Sequence, residues 1–124
     1  MGEKNRTSIE KVVLLILFLG MLALVTVTFM KERTVTKQKS LYHELAILRQ
    51  GVGTFQIIEK RHPKSLIELA MATYEIPGEN ARYKYVQMVE IGDNSTVIDP
   101  FGNAYKYNPT NGWVKSTTPG YTDW

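Results

Sequence analysis

The chain has 124 residues, a formal net charge of +3 at pH 7 and no cysteine. The length excludes a large multidomain enzyme. The lack of cysteine excludes a disulfide scaffold, thiol catalysis and cysteine-based metal sites. Lysine and arginine are spread along the chain without a nucleic-acid-binding motif, so we expect no nucleic-acid partner.

One segment is far more apolar than the rest. From Val12 to Met30, every residue except Gly20, Thr26 and Thr28 is apolar, and none is charged. These 19 residues would span about 28 Å as a helix, close to the roughly 30 Å of a bilayer's hydrocarbon core. A removed signal peptide is the alternative, but it has a shorter apolar region and a small-residue cleavage site. We therefore predict a single transmembrane helix over residues 9–30.

A short leader-like segment, residues 1–8, precedes this helix. Thr7 and Glu10 have the spacing of a capping box, in which Thr7 would cap the helix and Glu10 would bond back to it. In a second interpretation, a carboxylate so near the hydrocarbon needs a partner, which another subunit or the adjacent Lys11 would supply. Spacing alone leaves both open. Cations lie on both sides of the apolar segment, so charge does not decide its orientation.

The helix is expected to continue as an amphipathic helix over residues 31–61. Apolar residues recur at steps of four and three, the stripe of a helix that packs on a domain; they are Leu41, Leu45, Leu48, Val52 and Phe55. The stripe lasts only about two heptads, which argues against a coiled coil. Gly51 and Gly53 weaken the helix and would allow close packing against another element. The first proline, Pro63, predicts the helix end.

The sequence of residues 62–124 predicts a short helix and an antiparallel sheet. Ser65 and Glu68 form a capping box for a helix over about residues 66–72. Strand-forming runs separated by short turns follow; they are Arg82–Ile91, Thr96–Ile98, Ala104–Tyr107 and Trp113–Ser116. The fold class is therefore α+β, with one long helix packed on a small antiparallel sheet.

Two Tyr-Lys-Tyr triplets, residues 83–85 and 105–107, lie in these runs. Strand alternation places both tyrosines of a triplet on one face and the lysine on the other. The tyrosines would pack against the long helix, or they would form a stacking platform for nucleic acid or sugar. Because no basic groove accompanies them, we favour packing.

We find no catalytic or metal-binding motif. Phosphate loops, nucleophile elbows and metal triads are absent from the sequence, and His43 and His62 have no ligand-like neighbours. Asp93, Asp99 and Asp123 are isolated loop acids. We therefore expect no enzymatic activity, no small-molecule substrate and no cofactor.

A family resemblance is carried by two segments. Asp99-Pro100-Phe101-Gly102-Asn103, followed by Ala104-Tyr105-Lys106-Tyr107, resembles the D-P-[WF]-G-N-x-Y-x-Y segment of major (G-type) type II secretion pseudopilins. The run from His62 through Leu69 is similar to the Y-P-x-S-L-x-x-L that follows their long helix. Together with the leader, apolar segment, long helix and sheet, the chain resembles the type IV pilin and pseudopilin superfamily over nearly its whole length.

The resemblance implies a pilin-like fold and a filament subunit. In the family, prepilin peptidase removes the leader, and a carboxylate five residues into the mature chain neutralises a neighbouring subunit's N-terminus. Carried over, that carboxylate is Glu10, and cleavage would fall between Asn5 and Arg6. The family has glycine and phenylalanine at the cleavage positions, so both a processed chain and an unprocessed, membrane-resident one remain open.

The resemblance also implies partners and a location. The chain would lie in a bacterial inner membrane with a periplasmic C-terminal domain, and contact other copies of itself, other pseudopilins or the assembly platform. Calcium is a family ligand, but the long acidic loop that holds it has no counterpart in residues 116–124. The alternative is a single-pass, membrane-anchored interaction module that does not polymerise.

Overall fold

The computed structural model describes the backbone of residues 2–124 and the side chains of residues 8–124. This part of the chain contains helices α1 (Gly2–Glu59) and α2 (Leu66–Met71) and six short strands. The strands are β1 (Thr73–Glu75), β2 (Arg82–Lys84), β3 (Glu90–Ile91), β4 (Val97–Ile98), β5 (Lys106–Asn108) and β6 (Trp113–Lys115). One long apolar N-terminal helix with small antiparallel sheets confirms the α+β class.

The chain divides into two compact units, Met1–Thr36 and Lys37–Trp124. Residues 2–36 of the first unit are all helical. Because α1 begins at Gly2, Thr7 lies within the helix, and the predicted helix cap at Thr7 is wrong. The side chains of Asn5, Arg6 and Thr7, the expected cleavage and capping positions, lie outside the described residues.

The second unit is built on residues 37–59 of α1. The predicted stripe of Leu41, Leu45, Leu48, Val52 and Phe55 is confirmed as its core, since each of these side chains is buried. Leu66 and Leu69 of α2, together with Tyr85, Val86, Val97, Tyr105 and Val114, cover the stripe. The helix ends at Glu59, shortly before Pro63, as predicted.

The two glycines flanking Val52 have different surroundings. A β-carbon at Gly51 would overlap the Cγ2 atom of Val86 and lie 3.0 Å from the carbonyl oxygen of Tyr85. A β-carbon at Gly53 would have nothing within 4 Å. The predicted close packing therefore occurs at Gly51, beneath residues 85–86, and not at Gly53.

Helix α2 has the predicted cap, with one difference. The Ser65 hydroxyl accepts a hydrogen bond from the Glu68 backbone N–H at 3.1 Å. The Glu68 carboxylate, however, accepts from the backbone N–H of Lys64 rather than of Ser65. It also pairs with the Arg61 guanidinium at 2.6 Å, so it fixes the chain entering α2 to the end of α1.

The strands form three separate two-stranded antiparallel sheets, β1–β2, β3–β4 and β5–β6, so the prediction of one sheet is wrong. The expected strand Arg82–Ile91 is divided between β2 and β3. Consecutive residues Tyr85 and Val86 both face the core, which breaks strand alternation. Met88 then adopts φ +61°, a left-handed conformation that no regular strand contains. Strand β1, paired with β2, was not predicted.

Three of the four tyrosines pack against the helical part of the second unit, as favoured, whereas Tyr83 contacts Tyr74 of β1 with ring centroids 5.8 Å apart. Tyr85 is buried and contacts Phe55, with ring centroids 5.0 Å apart. Tyr105 is buried, and the Tyr107 hydroxyl donates to the carbonyl oxygen of Pro63 at 2.7 Å. Lys84 and Lys106 are exposed on the opposite faces.

Candidate functional site

Two features of the chain are candidates for function: the apolar segment of α1 and the loop Asp99–Asn103. Between Ile9 and Met30, the large hydrophobic side chains are 49–70% exposed. They cover every side of the helix, whereas a helix that packs on a soluble core is apolar along one stripe. This helix is long and apolar enough to cross a membrane.

The polar residues inside the segment are satisfied by the helix itself. The Thr26 hydroxyl donates to the carbonyl oxygen of Ala23 at 2.8 Å. The Thr28 hydroxyl donates to the carbonyl oxygens of Leu24 and Val25 at 3.0 and 2.9 Å. Neither hydroxyl therefore needs water, and the segment remains compatible with an apolar solvent. Glu10 is exposed on the same helix, two residues before Val12.

The loop Asp99–Asn103 is organised by the buried side chain of Asp99, which is 1% exposed. Its Oδ1 atom accepts hydrogen bonds from the backbone N–H groups of Phe101 and Asn103 at 2.9 and 3.0 Å. The Gly102 N–H donates to the Asp99 carbonyl oxygen at 2.8 Å, and Gly102 has φ +86°, which favours glycine. The sequence D-P-F-G-N thus encodes a turn around its own aspartate.

The second carboxylate oxygen joins this loop to a distant segment. Asp99 Oδ2 accepts hydrogen bonds from the hydroxyls of Ser116 and Thr118. The Asn103 side-chain amide donates to the Thr118 hydroxyl at 2.8 Å. A buried carboxylate is tolerated only when hydrogen bonds replace its hydration, and here four protein donors do so. The loop therefore acts as a structural clamp on residues 116–118.

A second polar contact joins the sheets to the helix. The Tyr105 hydroxyl donates to the Glu44 carboxylate at 2.8 Å. Burial raises the pKa of Glu44, the hydrogen bond from Tyr105 opposes that rise, and the negative charge of Asp99 adds to it. Burial and the bond to Glu44 also raise the pKa of Tyr105.

Sequence reasoning missed Glu44, although a signal was present. Glu44 lies three residues after Leu41 and four before Leu48, so it shares the apolar stripe. A carboxylate on a stripe facing the core requires a buried donor. Its donor, Tyr105, is 61 residues away, and no local pattern identifies it.

Among residues 8–124, no three histidine, aspartate or glutamate side chains come together as a metal site would require. Asp93 and Asp123 are exposed, and both Asp99 oxygens accept hydrogen bonds from protein donors. His43 is exposed and His62 is half-buried. The described acids therefore serve as hydrogen-bond acceptors or lie at the surface.

Comparisons of the chain with models of known families, with curated proteins and with solved structures found no match.

Proposed function

We propose that this chain is a pseudopilin-like filament subunit of a type II secretion or type IV pilus-type apparatus. It would lie in a bacterial inner membrane before assembly, with residues 37–124 on the periplasmic side. The observation that supports this most is that α1 displays apolar side chains on every side from Ile9 to Met30.

The exposed side chains of that segment require an apolar environment. Burying one large aliphatic or aromatic side chain contributes about 1.5–3 kcal/mol relative to leaving it in water. Sixteen such side chains are exposed between Ile9 and Met30, so the segment must be covered by lipid or by other helices. A subunit that moves from a bilayer into a bundle of like helices satisfies this demand in both states.

The second unit adds support through its residues. The loop Asp99–Asn103 carries the D-P-F-G-N sequence by which the chain resembles major pseudopilins. Four of the five motif positions, Asp99, Phe101, Gly102 and Asn103, contribute to the turn or its clamp. A small folded domain that follows a long apolar helix is the arrangement expected of a filament subunit.

Glu10 would serve assembly. A carboxylate in a bundle of apolar helices is costly alone and tolerable opposite an ammonium group. In a processed filament, the amino group of a neighbouring subunit would be that partner, which places the cut between Asn5 and Arg6. Glu10→Leu should then preserve membrane insertion and abolish assembly, while normal filaments from this variant would contradict the proposal.

Purification from membranes followed by N-terminal sequencing is the most direct test of processing. A chain that begins at Arg6 supports assembly by the pilin route. An intact Met1 supports a permanent anchor.

Crosslinking tests polymerisation itself. Because the chain has no cysteine, Leu17→Cys places one thiol in the exposed apolar segment. Oxidation gives a disulfide-linked homodimer if helices from two copies meet there. A bifunctional amine crosslinker applied to the wild-type chain should give a ladder of homomultimers. The same experiments on Leu17→Cys combined with Glu10→Leu provide the control, and unchanged crosslinking in that control would argue against the role of Glu10.

The alternative is a single-pass, membrane-anchored interaction module that does not polymerise. Asn5 and Arg6, in place of the family's glycine and phenylalanine, favour it, as does Lys11 beside Glu10. A crosslinked species containing one heterologous partner, with no homomultimers, would select this alternative.

A further inference from the structure

Four aromatic rings gather on the first helical turns of the second unit. Phe101 stacks on Tyr121 with centroids 5.5 Å apart, and Tyr121 meets Trp124 edge-on at 5.0 Å. Trp124 in turn meets Tyr42 of α1 at 6.2 Å. We call Tyr42, Phe101, Tyr121 and Trp124 the aromatic face.

The aromatic face is fixed to the helix and carries a cation. The Gln38 side-chain amide donates to the Tyr121 hydroxyl. The Lys37 ammonium lies 5.6 Å from the centre of the Phe101 ring. Tyr42 is 70% exposed and Trp124 is 38% exposed. Phe101 and Tyr121 are partly buried against the core, whereas Tyr42 and Trp124 keep exposed ring surface, which indicates a contact surface at these two rings.

The sequence position and the charge of the aromatic face indicate the kind of surface that it contacts. Lys37 follows the last residue of the apolar segment, Met30, by only seven residues in the sequence. Residues 31–40 contain four cations and one acid: Lys31, Arg33, Lys37 and Lys39 against Glu32. In residues 117–124, Asp123 is the only charged side chain, so the face and its surroundings carry net positive charge.

This combination matches the surface of a lipid bilayer. Tryptophan and tyrosine concentrate at headgroup level because their rings have an apolar body and a polar edge. Clustered lysine and arginine next to a membrane helix are attracted by anionic lipids. A site for a protein partner would not explain why Tyr42 and the cations before it follow the apolar segment so closely in the sequence.

We propose that the aromatic face rests on the headgroups of an anionic membrane and so seats the second unit on the bilayer while the subunit awaits assembly. This inference rests on the membrane anchoring in the proposed function, but not on filament formation. Its occupant is the lipid surface itself, recognised through ring insertion at headgroup level and through the negative charge of the lipid phosphates.

The chain offers a matched pair of probes, since Trp113 and Trp124 are its only tryptophans. Trp113→Phe leaves Trp124 on the aromatic face, and Trp124→Phe leaves Trp113, which is 62% exposed on β6. Each full-length variant is reconstituted into phosphatidylcholine vesicles with and without phosphatidylglycerol. Flotation confirms insertion, and brominated lipids then report which tryptophan contacts the bilayer.

We expect brominated lipid to quench Trp124 severalfold more than Trp113, and the difference to grow with phosphatidylglycerol. Lys37→Glu should reduce the quenching of Trp124 in anionic vesicles. Lys84→Glu, which makes the same charge change on β2, should leave it unchanged. These variants separate a headgroup contact from a general effect of net charge.

Equal quenching of the two tryptophans in chains that float with the vesicles would overturn the inference and leave the filament proposal standing. A Trp124 signal that follows the protein-to-lipid ratio instead of bromination would assign the face to a second copy and would also overturn it. Chains that fail to float would refute both proposals. Strong quenching of Trp124 without homomultimers would support this contact and count against the filament.

Discussion

Gly51 lies directly against Val86, so closely that a β-carbon on the glycine would overlap the valine's Cγ2 atom. The carbonyl oxygen of Tyr85 would be 3.0 Å from the same β-carbon. The backbone of residues 85–86 therefore rests on the helix where a side chain is missing. Glycine lowers the helix propensity at position 51, but its missing β-carbon allows this contact.

Gly51→Ala should lower the free energy of unfolding of the second unit by about 1–3 kcal/mol, because the added methyl group forces the backbone of residues 85–86 away. Gly53→Ala is the matched control, since its β-carbon meets nothing within 4 Å. It should raise stability by about 0.5–1 kcal/mol through helix propensity. Urea titration of the full chain in detergent micelles, followed by tryptophan fluorescence, measures both; equal effects would contradict this account.

Asp99→Ala should destabilise the second unit by about 3 kcal/mol or more. It orphans two backbone N–H groups and the hydroxyls of Ser116 and Thr118 in a buried site. Asp99→Asn keeps one oxygen acceptor and should cost less. Asp93→Ala removes an exposed loop acid and should stay within about 0.5 kcal/mol of wild type. Urea titrations of the three variants provide the ranking, and a neutral Asp99→Ala would refute the clamp.

The contributions of Glu44 and Glu68 to the free energy of unfolding should change in opposite directions as pH rises. Burial raises the pKa of Glu44, so its favourable contribution is present below the pKa of an unfolded glutamate and is lost as pH rises through the folded value. The Arg61 hydrogen bond lowers the pKa of Glu68, so its contribution is present above the unfolded pKa and is lost as pH falls through the folded value.

The change in the free energy of unfolding caused by Glu44→Gln should therefore be more favourable at neutral pH than in acid. The change caused by Glu68→Gln should be more favourable in acid than at neutral pH. Glutamine at either position keeps an oxygen acceptor and nearly the same volume. Urea midpoints across a pH series from acid to neutral test the pair. Parallel pH profiles for the two variants would contradict the assigned environments.

Tyr85 should resist ionisation until strongly alkaline pH. Burial, helped by the hydrogen bond from its hydroxyl to Glu59 at 3.1 Å, raises the pKa of Tyr85 to about 12. The stabilisation is therefore present below the usual tyrosine pKa of about 10 and is lost as pH rises through about 12. Tyr85→Phe should remove one late step from the ultraviolet absorbance titration. An unchanged late phase in that titration would rule out this assignment.

The helices were accessible to sequence reasoning because their signals are local. The Leu41–Phe55 stripe repeats with the helical period, and Ser65 caps the N-terminus of α2. Both signals depend on residues three or four positions apart, so no tertiary information is required.

The strands were less predictable because tertiary packing overrides their alternation. Tyr85 and Val86 both turn toward the helix, so a run that is rich in strand-forming residues from Arg82 to Ile91 cannot remain one strand. Met88 adopts a left-handed backbone that its own side chain disfavours. Val86 packs against Gly51, a residue so distant in the sequence that no local pattern connects the two.

The candidate site was predictable only in part. The segment Asp99–Asn103 stood out by its resemblance, but Ser116 and Thr118 lie 17 and 19 residues from Asp99 without any distinguishing pattern. Hydroxyl residues are common on protein surfaces, and only the fold shows which of them face a buried carboxylate.

The bonds from Ser116 and Thr118 to Asp99 also set an order of events during biosynthesis. The ribosome adds Asp99 before residues 116 and 118, so the aspartate cannot be buried with its hydroxyl donors until both of them have been added. The turn around it can form early through Phe101 and Asn103, but its burial must wait. The second unit therefore reaches its final packing only after residues 116–118 have been synthesised.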